Sequence, residues 1–215
     1  MLAGSLENWL PHFRGVEEQV VDAVKAVWPS CIGPLQTKKD MMTHEDHITE
    51  HLVYALIQSK SVPGRIEYQY PLLIKDIDGN VSMSSKIDFV VTIGNDEDVY
   101  LACECKRLNI PYQTRTKGLA SEYVEEGLMR FITGQYSNGL PVAMMLGYVM
   151  DARIDQARCG VMRAMRQRAT SLGLLSERET PIVEDLLLRF HTTHSCTPGH
   201  VIEVAHTFLA WPERH

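Results

Sequence analysis

Apolar residues recur at Val16, Val20, Val21, Val24 and Val27, the spacing of a helix with one buried face, and Pro29 is expected to end it. Residues 1–40 therefore read as a helical extension and 41–215 as a single core. Thr43-His44-Glu45-Asp46 has the form of a helix start, and Ile48, Leu52, Ala55 and Leu56 follow at helical spacing, which predicts a helix over His44 to Ser59. Arg65–Lys75, Ser85–Ile93 and Val99–Arg107 are strand-like runs separated by the turn formers Asp78-Gly79-Asn80 and Gly94-Asn95-Asp96, so they predict an antiparallel meander. Leu119–Thr133 reads as a helix, Val142–Met150 as a buried strand added through a crossover, and Ala152–Ser171 as an Arg-rich helix. Leu187–Ser195 and His200–Trp211 flank Pro198-Gly199 as a closing hairpin. The pattern predicts an α/β fold: a mixed sheet of meander plus crossover strand, flanked by helices, with a C-terminal β-hairpin.

With 215 residues, 45% apolar and 22% charged, the chain has the composition of a globular protein. The longest mostly apolar stretch, Val142–Met150, falls short of the ~20 residues that span a bilayer, and no basic segment leads into an apolar one near Met1. A cytoplasmic chain without a membrane segment is the expectation. Five cysteines without Cys-x-x-Cys spacing argue for reduced thiols and against a structural zinc site. The net charge of -6 excludes sequence-blind electrostatic binding of nucleic acid, though not a local basic groove.

The chemistry concentrates in two strands. Ile87, Phe89, Val91 and Ile93 are expected on one face of theirs, which sends Asp88 to the other with Val90 and Thr92. In the next strand, Leu101, Cys103 and Cys105 alternate with Ala102, Glu104 and Lys106, so Glu104 and Lys106 stand side by side. Charged groups among Leu, Ala and Cys are costly to bury without a partner or a task. Two carboxylates on adjacent strands suit a hard cation such as Mg²⁺ or Mn²⁺, which activates a bound water and stabilises a phosphodiester as it breaks. A lysine two residues on can orient that water or shed its proton. The chemistry indicated is hydrolysis of nucleic acid.

The run Ser85-Lys86-Ile87-Asp88-Phe89-Val90-Val91, followed after fifteen residues by Glu104-Cys105-Lys106, resembles the PD-(D/E)XK nuclease superfamily, whose fold is restriction-endonuclease-like. The resemblance extends to element order over roughly His44 to Met150; Ile87 stands where the family name has proline. It implies that Asp88 and Glu104 are metal ligands, that Lys106 is the catalytic lysine, and that 41–215 is a nuclease-like domain. Many members add a helix-borne glutamate. Of Glu45, Asp46 and Glu50, only Glu45 falls on the stripe of Ile48, Thr49, Leu52 and Leu56, which makes it either a third ligand or an ordinary first-turn acid.

The Leu119–Thr133 helix is expected to carry Ala120, Val124, Leu128, Phe131 and Ile132 on one face and Tyr123, Glu126, Gly127, Arg130 and Gly134 on the other. Arg130 with Gln135-Tyr136 loosely resembles the Gln-x-x-x-Tyr signature of RecB-like nucleases without its spacing. Arg130 then neutralises a phosphate and Gln135 orients the lysine, or both form a polar helix end. Lys106, Arg107, Arg115 and Lys117 leave the motif strand together and suit a phosphate path, more so than the arginines between Arg153 and Arg168.

His44-Glu45-Asp46-His47 is one residue short of a zincin motif, and His47 and His51 read as an exposed polar helix face; the tail's His191, His194, Cys196 and His200 look like zinc ligands, but in a hairpin His191 and His194 would face opposite ways, which argues against a zinc site. There is no Walker-type loop. The resemblance implies a DNA-cutting enzyme, with RNA as the other substrate, of the kind found in bacterial anti-phage systems, where a partner ATPase or regulatory subunit controls cutting; a homo-oligomer is compatible with it. The alternatives are a non-catalytic nucleic-acid or protein-binding module and a small-molecule hydrolase.

Overall fold

The structure is a computed structural model and describes residues 6–37, 44–94, 99–112, 115–137, 139–184, 186–196 and 200–211. A seven-stranded sheet has the order β1-β2-β3-β6-β9-β8-β7. Its strands are β1 (Arg65–Lys75), β2 (Val81–Thr92), β3 (Tyr100–Leu108), β6 (Val142–Val149), β7 (Leu174–Glu184), β8 (Leu187–Cys196) and β9 (His200–Ala210), and a separate ribbon pairs β4 (Ile110–Tyr112) with β5 (Arg115–Lys117). The meander β1-β2-β3 is antiparallel, β6 joins β3 and β9 in parallel, and β8 and β9 form the closing hairpin. The predicted mixed sheet and hairpin are present; Asn95, Asp96, Pro198 and Gly199 of the expected turns lie outside the described residues.

Helices cover both faces. On one, α1 (Leu6–Thr37) and α2 (Glu45–Ser59) pack over Phe89, Val91, Leu101, Cys103, Cys105, Leu146 and Tyr148. On the other lie α3 (Ala120–Glu122), a π-helical turn (Tyr123–Leu128), α4 (Met129–Ile132), α5 (Ile154–Gln167) and α6 (Ala169–Leu172), over Val90, Ala102, Met145, Val204 and Phe208. Strand β6, buried at every position, lies between these layers as its apolar run predicted. No described helix is long and apolar enough to cross a membrane, and all five cysteines are free.

Helix α1 does not stop at Pro29. An interior proline costs about 3 kcal/mol, but Cys31, Ile32 and Leu35 beyond it are buried on the same face as Trp28, and burying each such side chain stabilises by roughly 1.5–3 kcal/mol. Trp28 stacks on Tyr148 with ring centroids 5.6 Å apart and donates its indole N–H to the Ala210 carbonyl at 2.9 Å. The residues read as an extension thus pack into the same core as the sheet. Helix α2 begins at Glu45 with His44 as an N-cap that makes no side-chain capping bond; Thr43 lies outside the described residues.

Strand β7 was not expected from sequence. Its run Ser176-Glu177-Arg178-Glu179 lacks apolar alternation because it is the sheet's edge, with register shifts along its pairing to β8. Its acids meet the Arg-rich helix: Arg166 pairs with Glu177 at 2.7 Å, and Arg158 with Glu179. Arg168 pairs with Glu125. Those three arginines are therefore committed to ion pairs within the chain.

The histidine tail is interior. His194 Nδ1 lies 3.0 Å from the Leu172 carbonyl and so carries the proton; its Nε2 accepts from Thr192 at 2.7 Å. Thr192 in turn accepts from His206 Nε2 at 2.8 Å, and His206 Nδ1 accepts from the Tyr123 hydroxyl at 2.9 Å. With both imidazoles neutral, as their burial favours, the direction of the whole chain follows from that single carbonyl. Burial lowers the His194 pKa to about 4 and that of His206 well below its ordinary value. Because the unfolded chain binds protons near pH 6.5 and the folded one only near pH 4, this stabilisation is complete above pH 6.5 and lost progressively as pH falls from 6.5 to 4. Urea midpoints across that window are expected to fall, and to fall less steeply in His194→Gln; parallel slopes would refute the assignment.

Candidate active site

The β2–β3 ladder runs from Thr92↔Tyr100 to Phe89↔Cys103 and ends there. One step further, where Asp88 and Glu104 would pair, the strands part: β2 continues against β1, and β3 against β6 from Cys103↔Met144 to Leu108↔Val149. The Cys105 amide donates to Asp88 Oδ2 at 2.6 Å, a side-chain contact across the opening fork. Gln69, between the paired Tyr68↔Phe89 and Tyr70↔Ile87, adopts a left-handed φ of 50°. Side-chain alternation breaks at the same level: Phe89 and Val91 pack under α1 and α2, but Ile87 packs in the opposite layer, contrary to the single face expected for them. The change of face lies opposite the left-handed Gln69 of β1.

Glu104, 1% exposed, is held on one side only. Its Oε1 accepts from Lys106 Nζ at 2.9 Å and from Arg130 Nη1 at 3.2 Å, while its Oε2 is buried without a partner. Lys106 Nζ also donates to Glu45 Oε1 and to the Cys105 carbonyl, each at 3.0 Å. Arg130 Nη1 further donates to the Tyr136 hydroxyl at 2.5 Å, and Tyr136 donates to the Lys86 carbonyl.

Burial first, and then the neighbouring Glu104 charge, push the Asp88 carboxyl up to about 7 despite Lys106. Burial likewise raises Glu104 against the pull of Lys106 and Arg130. Burial disfavours the Lys106 ammonium, but Glu104, Glu45 and Asp88 outweigh it and raise its pKa, so the amine stays charged. As it stands, Lys106 can donate to and polarise a neighbouring oxygen. With all three acids ionised, as a bound cation would favour, they and the two cations sum to one net negative charge at the fork.

Sequence reasoning expected Asp88, Glu104, Lys106 and Glu45 in one place, and the structure brings them together, with Glu45 engaged by neighbours within the chain. Its stripe is buried as expected, with Ile48, Thr49, Leu52 and Leu56 at 0–1% exposure, yet its carboxylate serves Lys106 Nζ through Oε1 and the Arg107 amide at 2.8 Å through Oε2. Among the described residues no group of three His, Cys, Asp or Glu could hold a metal ion, the histidine tail included. What fits a hard divalent cation is the pair Asp88 and Glu104, with the unpartnered Oε2 as a ready oxygen donor and other positions left to water or phosphate.

Other expectations move. Arg130 is engaged with Glu104 and Tyr136, and Lys106 is oriented by Glu45, Glu104 and a carbonyl, whereas Gln135 is exposed. Arg115 and Lys117 project from the exposed β4–β5 ribbon, with Lys117 3.6 Å from Glu122, and Arg107 is half-buried beside Glu45. The predicted polar face of the 119–133 helix is partly interior, since Tyr123 and Gly127 are buried. The π-helical turn brings Gly127 so near the sheet that a Cβ there would lie 2.6 Å from Met145 Cε and 3.5 Å from Lys106 Cγ. Tyr136 is the residue whose role sequence reasoning missed; a tyrosine between Gln135 and Ser137 after a helix end gives no sign of reaching a carbonyl fifty residues back. His47 lies 3.7 Å from Glu50, as a polar helix face would have it. No protein-family model, no curated protein and no solved structure matches the chain.

Proposed function

We propose that the protein is a metal-dependent nuclease of restriction-endonuclease-like type that hydrolyses phosphodiester bonds, DNA in preference to RNA. The observation that carries this reading is the fork itself: a buried glutamate with an unpartnered oxygen and a half-buried aspartate on diverging strands, beside a lysine held as a cation. Asp88 and Glu104 would hold Mg²⁺ or Mn²⁺, which supplies an activated water and charge stabilisation when bound. Lys106 orients the attacking water and offsets charge on the phosphoryl oxygens, and Glu45 fixes the ammonium for that task. A divalent ion turns the net negative site positive by one, which matches the single charge of a phosphodiester. Lys117, Arg115 and Arg107 flank the strand that leaves the site and suit the backbone of a polyanion. In this reading a partner ATPase or regulatory subunit supplies control.

The test is plasmid and oligonucleotide cleavage with Mg²⁺ or Mn²⁺, comparing wild type with Lys106→Ala and Glu104→Ala. Wild-type cutting that drops by about 10²–10⁴-fold in Lys106→Ala is expected, with no cutting in Glu104→Ala. A second reading, a non-catalytic binding module, is favoured by one observation: Lys106 lies between Glu104 and Glu45 and pairs with one oxygen of each without an ion. Nucleic-acid binding without cleavage under either metal would select it.

A further inference from the structure

The fork that opens the site also removes the hydrogen-bond ladder that would fix Asp88 against Glu104. Among the described residues, β2 pairs with β3 only over 89–92, so its preceding part is held by β1, the edge strand. Besides the Cys105 amide on Asp88 Oδ2, at 2.6 Å, one bridge built from two side chains spans the gap. Tyr136 donates to the Lys86 carbonyl, two residues before Asp88, and accepts from Arg130 Nη1 at 2.5 Å; the same nitrogen holds Glu104 Oε1 at 3.2 Å.

Tyr136 is fully buried, with its ring edge-on to Phe131 at 5.6 Å and the Arg130 guanidinium carbon 5.4 Å from its ring centroid. The bridge therefore links the backbone of one acid-bearing strand to the carboxylate of the other. It also has a directional consequence. With Arg130 and Lys106 both on Oε1, Glu104 is left with Oε2 as its unpartnered oxygen.

The geometry points to Tyr136 and Arg130 as positioning residues: a strut across the open fork that sets the separation of Asp88 and Glu104 and leaves Glu104 Oε2 as the ligand oxygen. Neither residue needs to touch substrate. Their purpose rests on the proposed metal-dependent hydrolysis, but the strut is a property of the metal-free protein.

Tyr136→Phe removes the hydroxyl and keeps the ring; Arg130→Gln, as a second variant, removes the charge at the other end. Three readouts are taken well below the unfolding temperature. Hydrogen–deuterium exchange of the metal-free protein is expected to quicken about tenfold in peptides covering Lys86 to Phe89 and to stay unchanged in β8 and β9. Mn²⁺ affinity, followed by the paramagnetic resonance signal of the free ion, and cleavage rate are each expected to fall about 10–100-fold, the range for losing a group that orients a ligand. Unchanged exchange at Lys86 to Phe89 overturns the strut. Faster exchange with wild-type Mn²⁺ affinity and cleavage overturns its positioning role. A wild type that neither binds Mn²⁺ nor cleaves overturns instead the proposed function, and with it the purpose assigned to the strut.

Discussion

Asp88→Asn is expected to make the metal-free protein more stable at pH 8 while abolishing cleavage. The folded state holds this carboxyl at about 7, above its ordinary 3.8, because burial and Glu104 disfavour the charge. Between those values the folded protein binds more protons than the unfolded chain, so the residue lowers stability progressively as pH rises from about 4 to about 7. Asparagine cannot ionise and can still accept from the Cys105 amide. The gain above pH 7 is expected to be about 1–3 kcal/mol, given ~1.4 kcal/mol per pKa unit and neighbours that share the charge. Urea unfolding of both proteins at pH 4 and pH 8 reads it: the curves converge at the lower pH and separate at the higher. An asparagine variant less stable than wild type at pH 8, or one that still cuts, would refute the functional cost assigned to this acid. Stability sacrificed at a charged cleft is the trade expected of a catalytic site.

Glu17→Ala is expected to cost about 3–5 kcal/mol, the effect of stranding a buried charge. Glu17 is 1% exposed on α1 and pairs with Arg189 of β8, while His191 Nε2 lies 3.7 Å from the same oxygen. The cluster continues through Glu203 of β9, which Arg178 reaches at 3.1 Å and Arg14 also pairs with. It ties the first helix to the last three strands. Replacing Glu17 and Arg189 together by methionine is expected to recover most of the loss, since apolar groups of similar volume avoid the desolvation penalty. Chemical denaturation of the single and double variants decides this. Equal losses in both would mean that packing, not charge, holds α1 here.

These two sites differ in how far the sequence reveals them. Asp88, Glu104 and Lys106 are visible because they interrupt apolar strands at a period of two, and Glu45 because it alone among three acids shares the stripe of Ile48 and Leu52. Glu17 is invisible: in a helix whose apolar positions are already accounted for, it looks like any solvated acid, and its burial depends on Arg189 and His191 far along the chain. Tyr136 is hidden for the same reason.

Periodicity, turn chemistry and charge placement along the chain were enough to determine the meander, the buried crossover strand and the closing hairpin, because each depends on neighbours a few positions apart. The passage of α1 through Pro29, the edge strand β7, the neutral histidine chain, the use of Glu45 for a lysine and an amide, and the bridge from Arg130 through Tyr136 to Lys86 were decided only in three dimensions. Each sets a local preference against burial or a partner distant in sequence, and local pattern holds no information about that partner.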